Sequence, residues 1–299
     1  MPRVTKRHLT KTPVRKRFGQ HFLEYNWVCK LLDLIQPAPG EFFFEVGAGR
    51  GELTLPIAAS GAQVAAVEID RDLADNLRRI APPKVRVVTA DILTRDLWDL
   101  VVSSFGSDPP NDMRLIGNLP YNQSSPILLR ILRTQRKHRC FRDASLMLQQ
   151  EVADRVIASP GSRSYGPLAI LTRLIADPRR ILTLPPGAFR PPPKVRSAVV
   201  TLSFLDSPIA VPDPALFERM VRSLFTRRRK TLLNAIGPFA RTVTSTPLRA
   251  LLNEANLEPE LRPEVLDLED FVNLSKVLRV EQKASSSTDP NRQDTLHRR

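Results

Sequence analysis

The sequence predicts an α/β fold, a mostly parallel doubly wound sheet, followed by a smaller all-helical domain. Three observations carry this. From Glu41 to about Gln149, short apolar runs alternate with helical stretches, and such alternation builds parallel sheets. The strand candidates are rich in β-branched residues without polar alternation, which marks strands covered on both faces. After "LDSPIAVPDP" the texture changes: Leu216, Phe217, Met220, Val221, Leu224 and Phe225 recur at helical spacing.

In order, "EFFFEV" reads as a buried strand, "GELTLPIAAS" as a helix start, "QVAAVEI" as the next strand and "RDLADNLRRI" as a helix. "KVRVVTA", "MRLIG" and "ASLMLQ" are further strands, with helical "SPILLRILRTQ" between the last two. "RRILTL" and "SAVVTLSF" flank "PPGAFRPPPKV" with no helix between them, so an antiparallel edge pair is expected, and the proline-rich loop is unsuited to a strand. Beyond the break, Asp213 and Pro214 form an N-cap and first helical position, and Gly237 a stop. "STPLRALLNEANL" and "LEDFVNLSKVLRV" complete the helical part. The expected organisation is a flexible basic arm over 1–17, an α/β domain over 18–206, a helical domain over 207–280 and a disordered tail over 281–299. There are no internal repeats.

Composition narrows the partners. Forty-five Lys and Arg against 31 Asp and Glu give a net charge of +14, which suits a polyanion through phosphate neutralisation. A merely solvated basic surface gives the same total, and an anionic membrane fits less well for want of a separate amphipathic basic helix. No apolar run approaches a spanning length. Cys29 and Cys140 form no CxxC, and His8, His21, His138 and His297 are scattered, so no disulfide framework or metal site is expected. A reducing, cytoplasmic setting fits. The stretch "MPRVTKRHLTKTPVRKR" lacks the apolar core of a secretory signal and the serines of a mitochondrial presequence.

In "FFFEVGAGRGEL", Gly47, Gly49 and Gly51 stand at alternate positions between a strand and a helix start. A dinucleotide fingerprint would place its third glycine where Glu52 stands. Glu45 repels a pyrophosphate but suits a cation, such as the sulfonium and ammonium of S-adenosylmethionine. Glu68 closes the second strand, placed for ribose hydroxyls, and Asp91 ends "VRVVTADI", placed for an adenine amino group. Each acid alone is an ordinary strand end. Three at successive strand ends behind a glycine turn point to a nucleoside-methionine site.

"GNLPYN" closes the strand "MRLI". Adenine N6 is a poor nucleophile because its lone pair is delocalised into the ring. Two acceptors on its hydrogens, the Asn118 side-chain carbonyl and the Leu119 backbone carbonyl, would localise that pair. Pro120 stiffens the turn and Tyr121 can stack on the base.

Together "KRFGQHFL", "EVGAGRGELT", "GNLPYN", "QQEVADRVIASPGSRSYGPLAI", "AFRPPPKVRSAVV" and "LFTRRRKTLLNAI" closely resemble the KsgA-type ribosomal RNA adenine dimethyltransferases, from about Lys16 to Val280. The resemblance implies a Rossmann-like class I S-adenosylmethionine-dependent methyltransferase. Its implied reaction dimethylates N6 of two adjacent adenines near the 3′ end of 16S rRNA in the small ribosomal subunit, in ribosome biogenesis. It assigns the cofactor to His21, Leu23, Gly47, Glu68, Asp91 and Asn118, and the flipped adenine to Asn118, Leu119, Tyr121 and Phe189, with no metal. A cytoplasmic monomer without a membrane partner is expected. Family members commonly carry Asn where this chain has His21, and GPG where it has "GAG". Arg130, Arg133, Arg136, Lys137, Arg139 and Arg142 form one basic run, and Arg227, Arg228, Arg229 and Lys230 another, placed on the first helix of the small domain. Beside a base-modifying site they read as RNA backbone contacts. The alternatives are a 23S rRNA adenine methyltransferase of the macrolide-resistance type and a non-catalytic RNA-binding assembly factor. A DNA adenine methyltransferase would usually carry a D-P-P-Y turn.

Overall fold

In a computed structural model of the protein, residues 20–286 are described; the arm over 1–17 and the chain beyond 286 lie outside the described residues. The described chain divides into two compact units, one running through Ile157 and over Ile175–Pro208, the other over Ala158–Leu174 and from Ile209 onward.

The first unit contains β1 (Phe22–Leu23), α1 (Tyr25–Ile35), β2 (Phe42–Val46), α2 (Thr54–Ala59), β3 (Gln63–Glu68), α3 (Arg71–Ile80) and β4 (Val85–Thr89). It continues with α4 (Leu97–Phe105), β5 (Met113–Asn118), α5 (Ser124–His138), β6 (Phe141–Gln149), α6 (Gln150–Ile157), β7 (Ala176–Leu184), β8 (Phe189–Arg190) and β9 (Ser197–Phe204). Its main sheet has the order β4-β3-β2-β5-β6-β9-β7. The first five strands are parallel, and β9 and β7 add antiparallel to one edge, as the two helix-free strand runs require.

Local chemistry starts the helices where the sequence allows. The Asp70 carboxylate accepts from the Asp72 amide at 3.1 Å and opens α3, and Asp96 does the same for α4. Phe43, Phe44, Val64 and Ile116 fill the sheet core, each at most 1% exposed. Two expectations are corrected. β4 is the outer strand, so its valines stay half-exposed rather than covered on both faces. The proline-rich segment does hold a short strand, β8, which pairs antiparallel with β1 through Leu23 and Phe189. Only two residues are needed there, so the flanking prolines cost the pairing little.

Connections leave β2 in one direction and β5 in the other, so the strand order reverses between them. Ligands of open α/β sheets bind outside the strand carboxyl ends at such a reversal. There, Val46 pairs with Gly117. A Cβ on Gly117 would stand 2.7 Å from the Val46 carbonyl oxygen, so the close approach of these strand ends needs a glycine.

The second unit contains α7 (Pro167–Arg173), α8 (Pro214–Thr226), α9 (Leu232–Ala240), α10 (Leu248–Glu254) and α11 (Leu268–Ser286). Asp213 caps α8 by accepting from the Ala215 and Leu216 amides, with Pro214 in the first turn, as expected. Residues 158–174 belong here although the sequence reading put its boundary near 207. Tyr165 donates to the Leu266 carbonyl at 2.9 Å and meets Phe225 edge-on, and the Gly161 amide donates to Glu264. Gly237 does not stop a helix: it lies inside α9, where the missing side chain makes room for Leu248. Helix α8 ends at Thr226, so Arg227–Lys230 occupy the turn before α9 rather than a helix. Four successive cations would crowd like charges on helical turns. Helix α11 runs to Ser286, past the 280 boundary expected for a tail.

Candidate active site

The glycine turn after β2, the end of β3, the turn after β5 and β1 converge on one cavity in the first unit. Its wall includes His21, Leu23, Glu45, Gly47, Glu52, Glu68, Asn118, Leu119 and Tyr121. Gly49 sits at a φ of +58, an angle that aims its amide at Glu68 Oε2, 2.8 Å away. Glu68 Oε1 accepts from the Asp70 amide at 2.9 Å. The strand-end carboxylate is therefore locked to the turn, with lone pairs left for a ligand.

The catalytic turn is held as firmly. Asn118 Nδ2 donates to the His21 carbonyl at 2.7 Å, and neither its Oδ1 nor the Leu119 carbonyl has a partner among the described residues. The Leu119 amide is tied to the Met147 carbonyl, and the Gln123 amide closes the turn onto Pro120. The Tyr121 hydroxyl meets the Ser197 hydroxyl at 2.6 Å, and its ring stacks on His21 with centroids 5.3 Å apart. His21 Nδ1 is fixed by the Pro191 carbonyl at 2.8 Å.

The wall is acidic, and no Lys or Arg among the described residues lines it. Glu45 is 1% exposed and receives the Thr54 hydroxyl. Burial pushes its carboxyl up to about 8, with Thr54 opposing and the charges of Glu52 and Glu68 adding. Burial pushes Glu52 to about 7 against backbone donors and Arg50. It raises Glu68 as well, against the Asp70 and Gly49 amides. Burying carboxylates without cations is costly, and a cationic ligand would relieve that cost. The cavity therefore fits the charge of a sulfonium nucleoside, with a glycine turn letting backbone approach and a carboxylate at the ribose position.

The structure thus gathers His21, Leu23, Gly47, Glu68, Asn118, Leu119 and Tyr121. It leaves two expected residues off the wall. Asp91 follows β4 and accepts from the Leu93 amide at 2.8 Å. Phe189 is fully buried in the sheet core, and the ring against Tyr121 is His21 instead. Sequence reasoning missed Ser197 and Met147, which reach the site from β9 and β6 with no local signal. Glu52 had a signal, its place at the end of the glycine turn, but it entered only as a departure from a dinucleotide motif.

The basic runs divide by partner. Arg130 donates to the Leu93 and Arg95 carbonyls, and Arg142 pairs with Glu41 at 2.7 Å, so part of the first run is structural. In the second unit Arg228 is held by Glu264 at 2.9 Å and by the Arg163 carbonyl. Among the described residues no group of His, Cys, Asp and Glu could hold a metal, and no helix is long and apolar enough to cross a membrane.

A glycine turn and an Asn-Leu-Pro-Tyr turn at the reversal point of a seven-stranded mixed sheet define the class: a Rossmann-like methyltransferase fold. Solved structures agree on that fold. A dimethyladenosine transferase from Plasmodium falciparum matches with a TM-score of 0.71 at 23% identity, covering 87% of this chain and 98% of that one. The 23S rRNA methyltransferase ErmE matches at 0.61 and 24%, covering 86% and 99%. The particular family follows from sequence. The ribosomal RNA adenine dimethylase model matches residues 12–274, and the chain belongs to that family. Proteins named ribosomal RNA small subunit methyltransferase A are similar to it. The Xylella fastidiosa protein is 36% identical over 89% of this chain and 97% of its own length. A Synechococcus protein is 38% identical over 88% and 92%.

Proposed function

We propose that this protein transfers methyl groups from S-adenosylmethionine to N6 of two adjacent adenines in the 3′-terminal hairpin of 16S rRNA, as a monomer acting in small-subunit assembly. The observation that carries this reading is the state of Asn118: its amide nitrogen is spent on the His21 carbonyl, which turns Oδ1 toward the cavity. When bound, S-adenosylmethionine supplies an electrophilic methyl group on a sulfonium. Oδ1 and the Leu119 carbonyl are both acceptors, so they orient an amine by its two hydrogens and favour a pyramidal nitrogen with a localised lone pair. An amide is neutral, so it stabilises the developing positive charge on N6 without holding the product as an ion pair. Tyr121 offers a π-face to an extruded base, and its Ser197 contact fixes the ring plane. Glu68 accepts from the ribose, and Asp91 and Phe189 keep their proposed adenine roles on the strength of the resemblance. Arg227, Arg229 and Lys230 of the helical unit neutralise RNA phosphates, which position the substrate without reading its sequence.

Small subunits lacking the modification should gain dimethyladenosine when incubated with the protein and S-adenosylmethionine, as mapped by mass spectrometry of the rRNA. Absence of any product from folded protein would refute the reading. Transfer to protein-free large-subunit rRNA in preference to small subunits would move it to the macrolide-resistance type. Asn118→Ala should lose at least ~100-fold in turnover while cofactor affinity falls only a few-fold.

A further inference from the structure

Glu52 enters the cavity from the far side of the glycine turn, and neither the fold nor the transfer step above uses it. Its Oε2 accepts from the Arg50 amide at 3.1 Å and would stand 3.2 Å from a Cβ on Gly49. The carboxylate therefore leans back over the turn, facing the cavity with Glu45 and Glu68. The three acids differ in how they are held. Glu45 is sealed against the Thr54 hydroxyl, and Glu68 is fastened by two backbone amides. No side-chain donor among the described residues reaches Glu52, which is half-exposed to the cavity.

Resting on the methyl-donor reading, we propose that Glu52 reads the charge of the bound nucleoside, pairing with the positive methionyl end of the sulfonium donor and discriminating against the thioether product. Donor and product differ by one methyl group and one positive charge. Shape alone separates them poorly, since a single methyl in a pocket is worth about 1–3 kcal/mol at most. Charge separates them better where a carboxylate stands out of water. Glu68 on β3 and Glu45 on β2 face Glu52 as anions or proton holders. The one nearby cation is Arg50 on the same turn, whose guanidinium lies 4.0 Å over the Phe22 ring. In the empty cavity Glu52 holds its proton near neutrality, because burial outweighs Arg50. A cation arriving beside it reverses that balance. The O–H bond of the carboxyl breaks, the proton passes to solvent and the carboxylate pairs with the ligand. Once the methyl group has left, the ligand is neutral at sulfur, the carboxyl takes a proton back and the hold on the product weakens.

Titration calorimetry of the full chain at pH 7, in two buffers of different ionisation enthalpy, measures the protons released with S-adenosylmethionine and with S-adenosylhomocysteine. The wild-type protein should release more protons with the sulfonium. Glu52→Gln should abolish that difference and lower the donor-to-product affinity ratio about tenfold, while affinity for the thioether shifts less than about twofold. Equal proton release by both ligands overturns the proposal, as does an unchanged ratio in the variant. Failure of either ligand to bind the wild-type protein would instead remove the methyl-donor reading itself. Should Glu52→Gln not fold, the wild-type difference alone decides, with Glu52→Asp expected to retain part of it.

Discussion

Replacing Gly117 with alanine would place a methyl carbon 2.7 Å from the Val46 carbonyl oxygen, about 0.7 Å short of ordinary contact. The obstacle is backbone, so no rotamer change relieves it. Either β5 moves from β2 or the Val46 peptide turns, and Val46 leads directly into Gly47 while Gly117 leads into Asn118. Overpacking of this kind costs about 1–3 kcal/mol, and the stiffer unfolded chain returns about 0.4–1 kcal/mol. The net loss of about 1–2 kcal/mol should lower the melting temperature of the sheet unit by about 2–8 °C. Chemistry should suffer more, because a displacement of several tenths of an ångström at Asn118 approaches the tolerance of a reacting geometry. Turnover on unmethylated small subunits should fall about 10- to 100-fold. Gly187→Ala, with nothing within 4 Å of its Cβ, is the control and should stay within about 0.5 kcal/mol of wild type. A Gly117→Ala protein with wild-type melting and turnover would show that the strand ends absorb the methyl group, and the argument from close approach would fail.

Glu45 holds its proton to about 8 in the fold against 4.5 unfolded. Its favourable contribution is thus full below about pH 4.5 and is lost as pH rises toward 8. Without ligand, wild-type stability should fall relative to Glu45→Gln by up to about 1.4 kcal/mol per pH unit across that window, read by denaturant melts at pH 6 and pH 8. Arg114 is buried between Asp143 at 3.0 Å, Glu41 at 3.3 Å and the Ile35 carbonyl at 2.7 Å. Arg114→Ala should cost about 3–5 kcal/mol with the cofactor affinity of the folded fraction unchanged, and calorimetry beside a chemical melt separates the two. Tyr121→Ala should lose the base platform, at about 1–3 kcal/mol of RNA-dependent binding, whereas Tyr121→Phe keeps the ring and gives up only the Ser197 contact; KM for small subunits is the readout. Arg229→Glu with Lys230→Glu should weaken RNA binding across sequences and shallow its log–log salt dependence by about two or more. A salt slope equal to wild type would place those side chains off the RNA.

Much of the fold was legible because its signals are local. The strands "EFFFEV", "QVAAVEI" and "MRLIG", the caps Asp70 and Asp213, and the edge pair "RRILTL" and "SAVVTLSF" each depend on a few neighbouring residues. Gly237 misled for the complementary reason: a glycine reads as a stop, and only the approach of Leu248 reveals why a helix carries one. Residues 158–174 likewise look like the end of the sheet domain until Tyr165 finds Leu266, about a hundred residues away.

The site divides along the same line. By itself the sequence determined the residue types and the order of the chemistry: a glycine turn, acids at strand ends, an amide-proline-aromatic turn, and the family they belong to. Which groups share one wall was decided by tertiary structure. Strand order brings β2 beside β5, the two-residue pairing of β1 with β8 sets His21 against Tyr121 and Asn118, and burial leaves Glu45 and Glu52 protonated near neutrality. The reason is physical: a proton's affinity and an amide's orientation depend on what lies within a few ångströms, and those neighbours come from strands far apart along the chain.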